Sequence, residues 1–291
     1  MTATAASIGI IGGSGLYALT GMTDAHEVRV PTPFGDPSDA IHVGHVEGRP
    51  VAFLARHGRE HRLLPGEINY RANIYAMKAL GVSRILSASA VGSMKESIHP
   101  KDVVLPDQFV DRTRGRAATF FGRGVAAHIA FADPVCPESR AALHVATRKA
   151  GATVHDGGTY LCMEGPAFST RAESRLYRSW GVDVIGMTNL TEAKLAREAE
   201  ICYATLALVT DYDCWHEVEA DVSVAAVLDN LRANAALAAT ALRGAVAALP
   251  EARVACACGE ALRHAIITPV AAIGAEARKH LGVLLDKYVS H

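Results

Sequence analysis

No run of about 18 apolar residues, the length a membrane-spanning helix needs, occurs in the 291-residue chain. Surplus charge is missing too: 29 Lys and Arg face 30 Asp and Glu, a net charge of -1, which excludes a broad electrostatic footprint for nucleic acid or anionic lipid. A local anion pocket stays open. No Gly-Lys-Ser/Thr sequence is present, so a P-loop is unsupported. Cysteine is sparse, at positions 136, 162, 202, 214, 256 and 258, unlike the dense framework of a small secreted domain. Reduced thiols in a cytoplasmic compartment are expected. Cys256 and Cys258 are too few for a structural zinc site, and His264 still leaves one ligand missing. The N-terminus, MTATAASIGIIGG, lacks a basic region and is not expected to be a signal peptide.

What is present is half hydrophobic, with 20% charged residues and a mean hydropathy of +0.15, a globular composition. Short β-branched or apolar runs at 7–11, 51–55, 84–89, 182–187 and 201–210 read as strands, mostly buried on both faces. Between them, 68–80, 137–150, 171–180 and 188–199 carry helical spacing. This alternation predicts one α/β domain with helices on both faces of a central sheet. Residues 222–248 form an alanine-rich helix with Asp221 as a plausible N-cap, and 275–288 a final helical stretch. Residues 106–137 show no clean periodicity. A segment that long without regular structure is usually functional or disordered.

Four places carry candidate chemistry. The transition Gly12-Gly13-Ser14-Gly15 offers uncluttered backbone N–H groups and one hydroxyl, suited to a phosphate, or it is only a turn. Gly13-x-Gly15-x-x-Ala18 loosely fits a dinucleotide fingerprint, but Gly21, Pro31, Pro33 and Pro37 follow where a helix and an acidic strand end are required. Arg56-His57-Gly58 follows a strand; the guanidinium can grip a phosphate bidentately and His57 can add a donor, or the pair is a surface salt bridge and a helix-terminal histidine. Metal binding by His57 and His61 is not expected, because Gly58 and Pro65 interrupt any helix there. The small-residue run Ser87 to Ser93 lets a ligand approach the backbone, with Ser89 supplying a hydroxyl, or it serves tight packing. Asp211 and Asp213, after a buried strand, are either solvated loop charges or a pair that reads a heterocycle.

Taken together, Gly12-Gly13-Ser14-Gly15-Leu16, Thr32-Pro33-Phe34-Gly35, Leu54-Ala55-Arg56-His57-Gly58, Asn69-Tyr70-Arg71-Ala72-Asn73, Met163-Glu164-Gly165-Pro166, Phe168-x-x-Arg171-Ala172-Glu173, Gly186-Met187-Thr188 and Thr210-Asp211-Tyr212-Asp213-Cys214-Trp215 resemble the methylthioadenosine phosphorylases, a family of the trimeric purine nucleoside phosphorylase superfamily. The resemblance runs from about residue 8 to 231. It implies a single nucleoside phosphorylase-like domain over 1–291, an α/β fold with a mixed, partly barrel-like sheet flanked by helices, and a divergent helical segment at 250–291.

The implied reaction is phosphorolysis of methylthioadenosine to adenine and 5-methylthioribose 1-phosphate in methionine and purine salvage, by a cytoplasmic homotrimer needing no cofactor or metal. The resemblance implies a phosphate cradle of Ser14, Arg56, His57, Ser89, Ala90 and Thr188, and a nucleoside site of Phe168, Met187, Asp211 and Asp213, with Asp211 and Asp213 catalytic. It also implies that His128 enters the neighbouring subunit's pocket. Two rivals remain: a 6-oxopurine phosphorylase acting on inosine, guanosine or methylthioinosine, where an asparagine typically faces the base, and a nucleotide sensor without catalysis.

Overall fold

The computed structural model describes residues 6–216, 224–253 and 256–289. In β1 (Ile8–Gly12) every residue is buried, and alternate side chains enter opposite layers: Ile8 and Ile10 join one apolar cluster and Ile11 another. A strand so placed must be central. β2 (Thr23–Val28), β3 (Ile41–Val46) and β4 (Arg49–Ala55) form an antiparallel meander whose last strand returns parallel to β1. α1 (Tyr70–Ala79), capped by the Asn69 side chain on the Ala72 amide, crosses to β5 (Arg84–Ser93) on the other side of β1. The chain continues through β6 (Val103–Leu105), β7 (Gln108–Arg112), α2 (Pro137–Lys149), β8 (Val154–Asp156), β9 (Thr159–Met163), α3 (Arg171–Ser179), β10 (Val184–Gly186), α4 (Asn189–Glu198), β11 (Cys202–Asp211), α5 (Val224–Ala248), α6 (Ala275–Leu281) and α7 (Asp286–Val289).

The eleven strands make one mixed sheet that forks at β5. β1 accompanies β5 through Ser87, and β10 takes over, antiparallel, at Gly92, while β11 runs along the opposite edge throughout. Ala88 to Val91 therefore have a strand on one side only among the described residues. A gap between diverging strands is where α/β sheets place ligands. Helices cover both faces: α1 and α4 bury Ile74, Tyr75 and Leu195 on one, and α2 and α5 bury Leu143, Leu242 and Val246 on the other. Each such side chain contributes about 1.5–3 kcal/mol of burial. The small residues of α5 let it approach α2 closely, since a Cβ on Gly244 would lie 3.1 Å from that of Ala146.

The mixed sheet flanked by helices is as expected; several boundaries differ. The expected strand 182–187 shortens to Val184–Gly186. The expected helix 275–288 breaks at Gly282, which adopts φ +46°, with the Tyr75 hydroxyl where a Cβ would stand. The segment 106–137 contains β7, paired parallel with β9. The α5 N-cap assigned to Asp221 lies outside the described residues.

Candidate active site

The fork opens into a cavity of about 450 Å³. Ten sequence-predicted site residues line it: Ser14, Arg56, His57, Ser89, Ala90, Phe168, Met187, Thr188, Asp211 and Asp213. They come from the ends of β1, β4, β5, β10 and β11 and from the loop before α3, so the fold converges what the sequence scatters over 200 positions. Close approach explains the glycines at one wall. A Cβ on Gly13 would stand 2.6 Å from the Ala88 carbonyl oxygen and 2.8 Å from Arg56 Nη1.

At one end the groups suit an anion. Thr188 is the N-cap of α4 and makes no side-chain cap hydrogen bond, its hydroxyl reaching Asn189 Oδ1 at 3.3 Å instead, and the positive end of the helix dipole stands at the cavity. Ser89 Oγ is buried and has no hydrogen-bond partner among the described residues, a cost a ligand oxygen would remove.

Arg56 departs from the bidentate phosphate grip read from sequence. Its guanidinium is fully buried, and Nε and Nη2 together clasp Glu192, with Nη2 to Oε2 at 3.0 Å. Nη2 also donates to Ser87 Oγ at 2.6 Å and Nη1 to the Ala88 carbonyl at 2.9 Å. One Nη1 hydrogen remains for the cavity, because the planar fork has five donors. Burial opposes the charge, but Glu192 outweighs it and keeps Arg56 firmly protonated.

His57 also differs. Burial, then the Arg56 charge, push its pKa down to about 3, and Nδ1 sits 2.8 Å from the Leu63 carbonyl. A carbonyl only accepts, so the neutral ring carries its proton on Nδ1. The free Nε2 is then an acceptor, fitted to the hydroxyl of monohydrogen phosphate rather than to a bare anion oxygen.

At the other end stand the carboxylates. A bulge in β11 between Val209 and Asp211 turns Asp211 toward the cavity. Asn230 and Asn234 of α5 donate to the carbonyls of Thr210 and Val209 at 2.7 and 3.1 Å, filling acceptors at the bulge. Asp211 accepts from the Thr210 hydroxyl at 2.6 Å and the Asp213 amide at 2.8 Å. Burial pushes its pKa up, the neighbouring Asp213 charge adds to the rise, and those two hydrogen bonds only partly oppose it. Burial likewise raises Asp213, which holds φ +54°. Leu64, Pro65, Met163, Ile185 and Met187 give the same cavity apolar surface.

Sequence reasoning missed the supporting network. Glu192, fully buried, is also reached by the hydroxyl of Tyr203 at 2.8 Å, and Asn189 joins Tyr203, Thr205 and Ser87. The available signal was charge at a buried helical position beside Met187-Thr188. Arg116, from the irregular segment, braces the cavity from behind, donating to the carbonyls of Met187 at 2.6 Å and Glu164 at 2.7 Å. His128 lies elsewhere. It is exposed and outside this cavity, with its amide bonded to the Ala265 carbonyl at 2.8 Å.

Over residues 7–247 the chain matches the phosphorylase superfamily. An S-methyl-5'-thioadenosine phosphorylase from Geobacter sulfurreducens is 60% identical over 283 residues, 97% of this chain and 99% of that one. The chain belongs to the methylthioadenosine phosphorylase family. A family member from Koribacter versatilis is 58% identical over 97% of both chains. The crystal structure of a methylthioadenosine phosphorylase from an antarctic soil metagenomic library superimposes with a TM-score of 0.92 at 51% identity, covering 97% of this chain and 99% of that one. The Schistosoma mansoni methylthioadenosine phosphorylase in complex with adenine gives 0.81 at 38% identity, covering 83% and 91%. The near full-length matches take in most of 250–291, which the motif resemblance left uncovered.

Proposed function

We infer that the chain transfers the 5-methylthioribosyl group of S-methyl-5'-thioadenosine to inorganic phosphate, releasing adenine and 5-methylthioribose 1-phosphate, as a pentosyltransferase of methionine and purine salvage. One observation carries this reading: a single cavity lined by anion-seeking groups, by two carboxyls of raised pKa and by apolar side chains. Family membership at 60% identity supports the choice of substrate.

The chemistry follows from that polarity. Breaking the glycosidic bond puts positive charge on the ribose and negative charge on the leaving purine. Phosphate, held by Ser14, Ser89, Thr188, the α4 amides, the backbone at Ala90 and the remaining Arg56 N–H, stabilises the cationic ribose and attacks C1' from the face opposite the base, inverting it. His57 accepts from the phosphate hydroxyl and orients it. At the far end Asp211, whose hold on a proton burial strengthens, donates to purine N7 as the electron pair arrives, and Asp213 accepts from the 6-amino group. Phe168 and Met187 flank base and ribose. No metal or organic cofactor enters these steps.

The assembly is proposed to be a homotrimer in the cytoplasm, with His128 of each subunit completing the next subunit's pocket. Phe168 and Leu64 are 45% and 48% exposed at the cavity although both are apolar, which fits a rim closed by another chain. Among the described residues no helix is long and apolar enough to cross a membrane.

A competition assay with equimolar methylthioadenosine, methylthioinosine and inosine tests the assignment. Adenine should be the dominant free base. Hypoxanthine release at an equal or greater rate would favour the 6-oxopurine rival, against which Asp213 stands because a 6-oxo group offers it no donor.

A further inference from the structure

Cys256 and Cys258 gain two partners that no sequence spacing connects to them. The sulfurs of Cys136, Cys202, Cys256 and Cys258 all lie within 4.8 Å of one another. Cys136 caps α2, and its amide is tied to the Tyr203 carbonyl at 2.8 Å; Cys202 opens β11, its amide bonded to the Ser83 carbonyl at 3.0 Å. Cys256 and Cys258 come from the turn after α5. Three of the four are buried and Cys256 is partly exposed, so the cluster has one side from which an ion can enter.

The geometry points to a structural zinc site, a tetrathiolate centre formed by Cys136, Cys202, Cys256 and Cys258. Zinc bound at about 2.3 Å to four sulfurs places them about 3.8 Å apart at the corners of a tetrahedron, and four mutually close thiols need only small rotations to reach it. A disulfide joins two sulfurs at about 2.05 Å, whereas the Cys202 and Cys256 sulfurs are 3.3 Å apart and all six cysteines are free thiols. Pairwise bonding would not require four sulfurs around one point.

The setting suits a centre of net negative charge. Cys136 stands at the start of the 13-residue α2, where amides and dipole favour a thiolate. In the first turn of that helix Ser139 Oγ is buried with no hydrogen-bond partner among the described residues, a donor available to a metal-bound sulfur. Tetrahedral, all-sulfur coordination selects zinc over harder ions. Binding expels the four thiol protons, so occupancy falls as pH falls.

The centre is structural rather than catalytic. Cys202 and Asp211 are at opposite ends of β11, nine residues and therefore about 30 Å apart. Its role is to fasten the segment after α5 to the sheet. That segment holds the loop bearing His128, through the Ala127–Ile266 bridge and the bond from the His128 amide to Ala265.

The test uses the full chain, expressed with zinc in the medium, purified without chelator under a phosphine reductant, and analysed by elemental mass spectrometry. About one zinc per chain is expected, with the four thiols protected from a thiol reagent until a chelator and denaturant together remove the metal. Cobalt(II) exchanged into the same protein should show the sulfur-to-metal charge-transfer and visible bands of tetrahedral thiolate coordination. Cys258→Ser should reduce bound zinc at least tenfold. The cobalt spectrum needs no variant, so misfolding of Cys258→Ser cannot shelter the proposal. Reduced protein offered excess zinc and desalted without retaining it, or peptide mapping of native protein that finds these cysteines in disulfides, would overturn it, and neither result bears on the phosphorylase reading.

Discussion

Replacing Arg56 with methionine should damage the protein in two separable ways. Its guanidinium is clasped by Glu192, and both side chains are at most 1% exposed. Losing the cation leaves a carboxylate buried and unpaired, which costs about 3–5 kcal/mol. For a chain of this size each kcal/mol moves the unfolding midpoint by about 2–4 °C, so a fall of roughly 6–20 °C is expected. The phosphate contact is smaller. One Nη1 hydrogen remains for the anion, and a charge-assisted hydrogen bond is worth about 1.5–3 kcal/mol, or roughly a 10- to 150-fold loss in kcat/KM for phosphate. Adding Glu192→Gln to Arg56→Met removes the stranded charge, and should recover half or more of the lost midpoint while leaving the phosphate defect in place. Thermal unfolding without phosphate, alongside phosphate saturation kinetics, reads the two effects. If the double variant is no more stable than the single one, or recovers phosphate affinity along with stability, Glu192 is not the principal partner of Arg56.

Ser89→Ala should leave unfolding within about 0.5 kcal/mol of the parent, because its hydroxyl has no protein partner, yet weaken phosphate binding about tenfold or more; equal phosphate affinity would remove Ser89 from the cradle. Asp211→Asn should cut methylthioadenosine turnover sharply through loss of the proton donor, and activity toward 6-oxopurine nucleosides should fall less; equal losses on both would show that the carboxyl does not serve the adenine base. Burial raises the pKa of Asp211 and Asp213, so the folded state binds more protons than the unfolded one. Their contribution to stability is complete below the ordinary carboxylate range and is lost as pH rises through the raised values, and changing both to asparagine should flatten that part of the stability–pH curve. Coexpressing His128→Ala with Asp211→Asn chains should restore some activity, because mixed trimers contain pockets with both groups intact; verified mixed trimers that remain inactive would refute the shared site.

Buried strands such as β1 and β11 were readable in the sequence because nearly continuous apolar runs leave little alternative. The exposed β2 was not, since it carries no two-sided apolar pattern, and β6 and β8, three residues each, are too short to show a period before the sheet pairs them. The candidate site was legible at its lining, where Ser14, Ser89 and the Asp211–Asp213 pair stand at strand ends. Commitments within it were hidden. Arg56 looks like a free clamp until Glu192, 136 residues away, is folded against it, and a histidine shows neither its proton position nor its burial in one dimension. Cys136 and Cys202 were equally opaque, because proximity across 120 residues depends on how α2 and β11 meet the chain after α5.

Adenine release from methylthioadenosine, followed with and without inorganic phosphate in metal-free buffer, tests the central claim most directly. Adenine should appear only when phosphate is present, with one 5-methylthioribose 1-phosphate of inverted anomeric configuration for each adenine. Equal release without phosphate, giving free 5-methylthioribose, would make the enzyme a hydrolase and contradict the phosphate assignment of Ser14, Ser89 and Thr188.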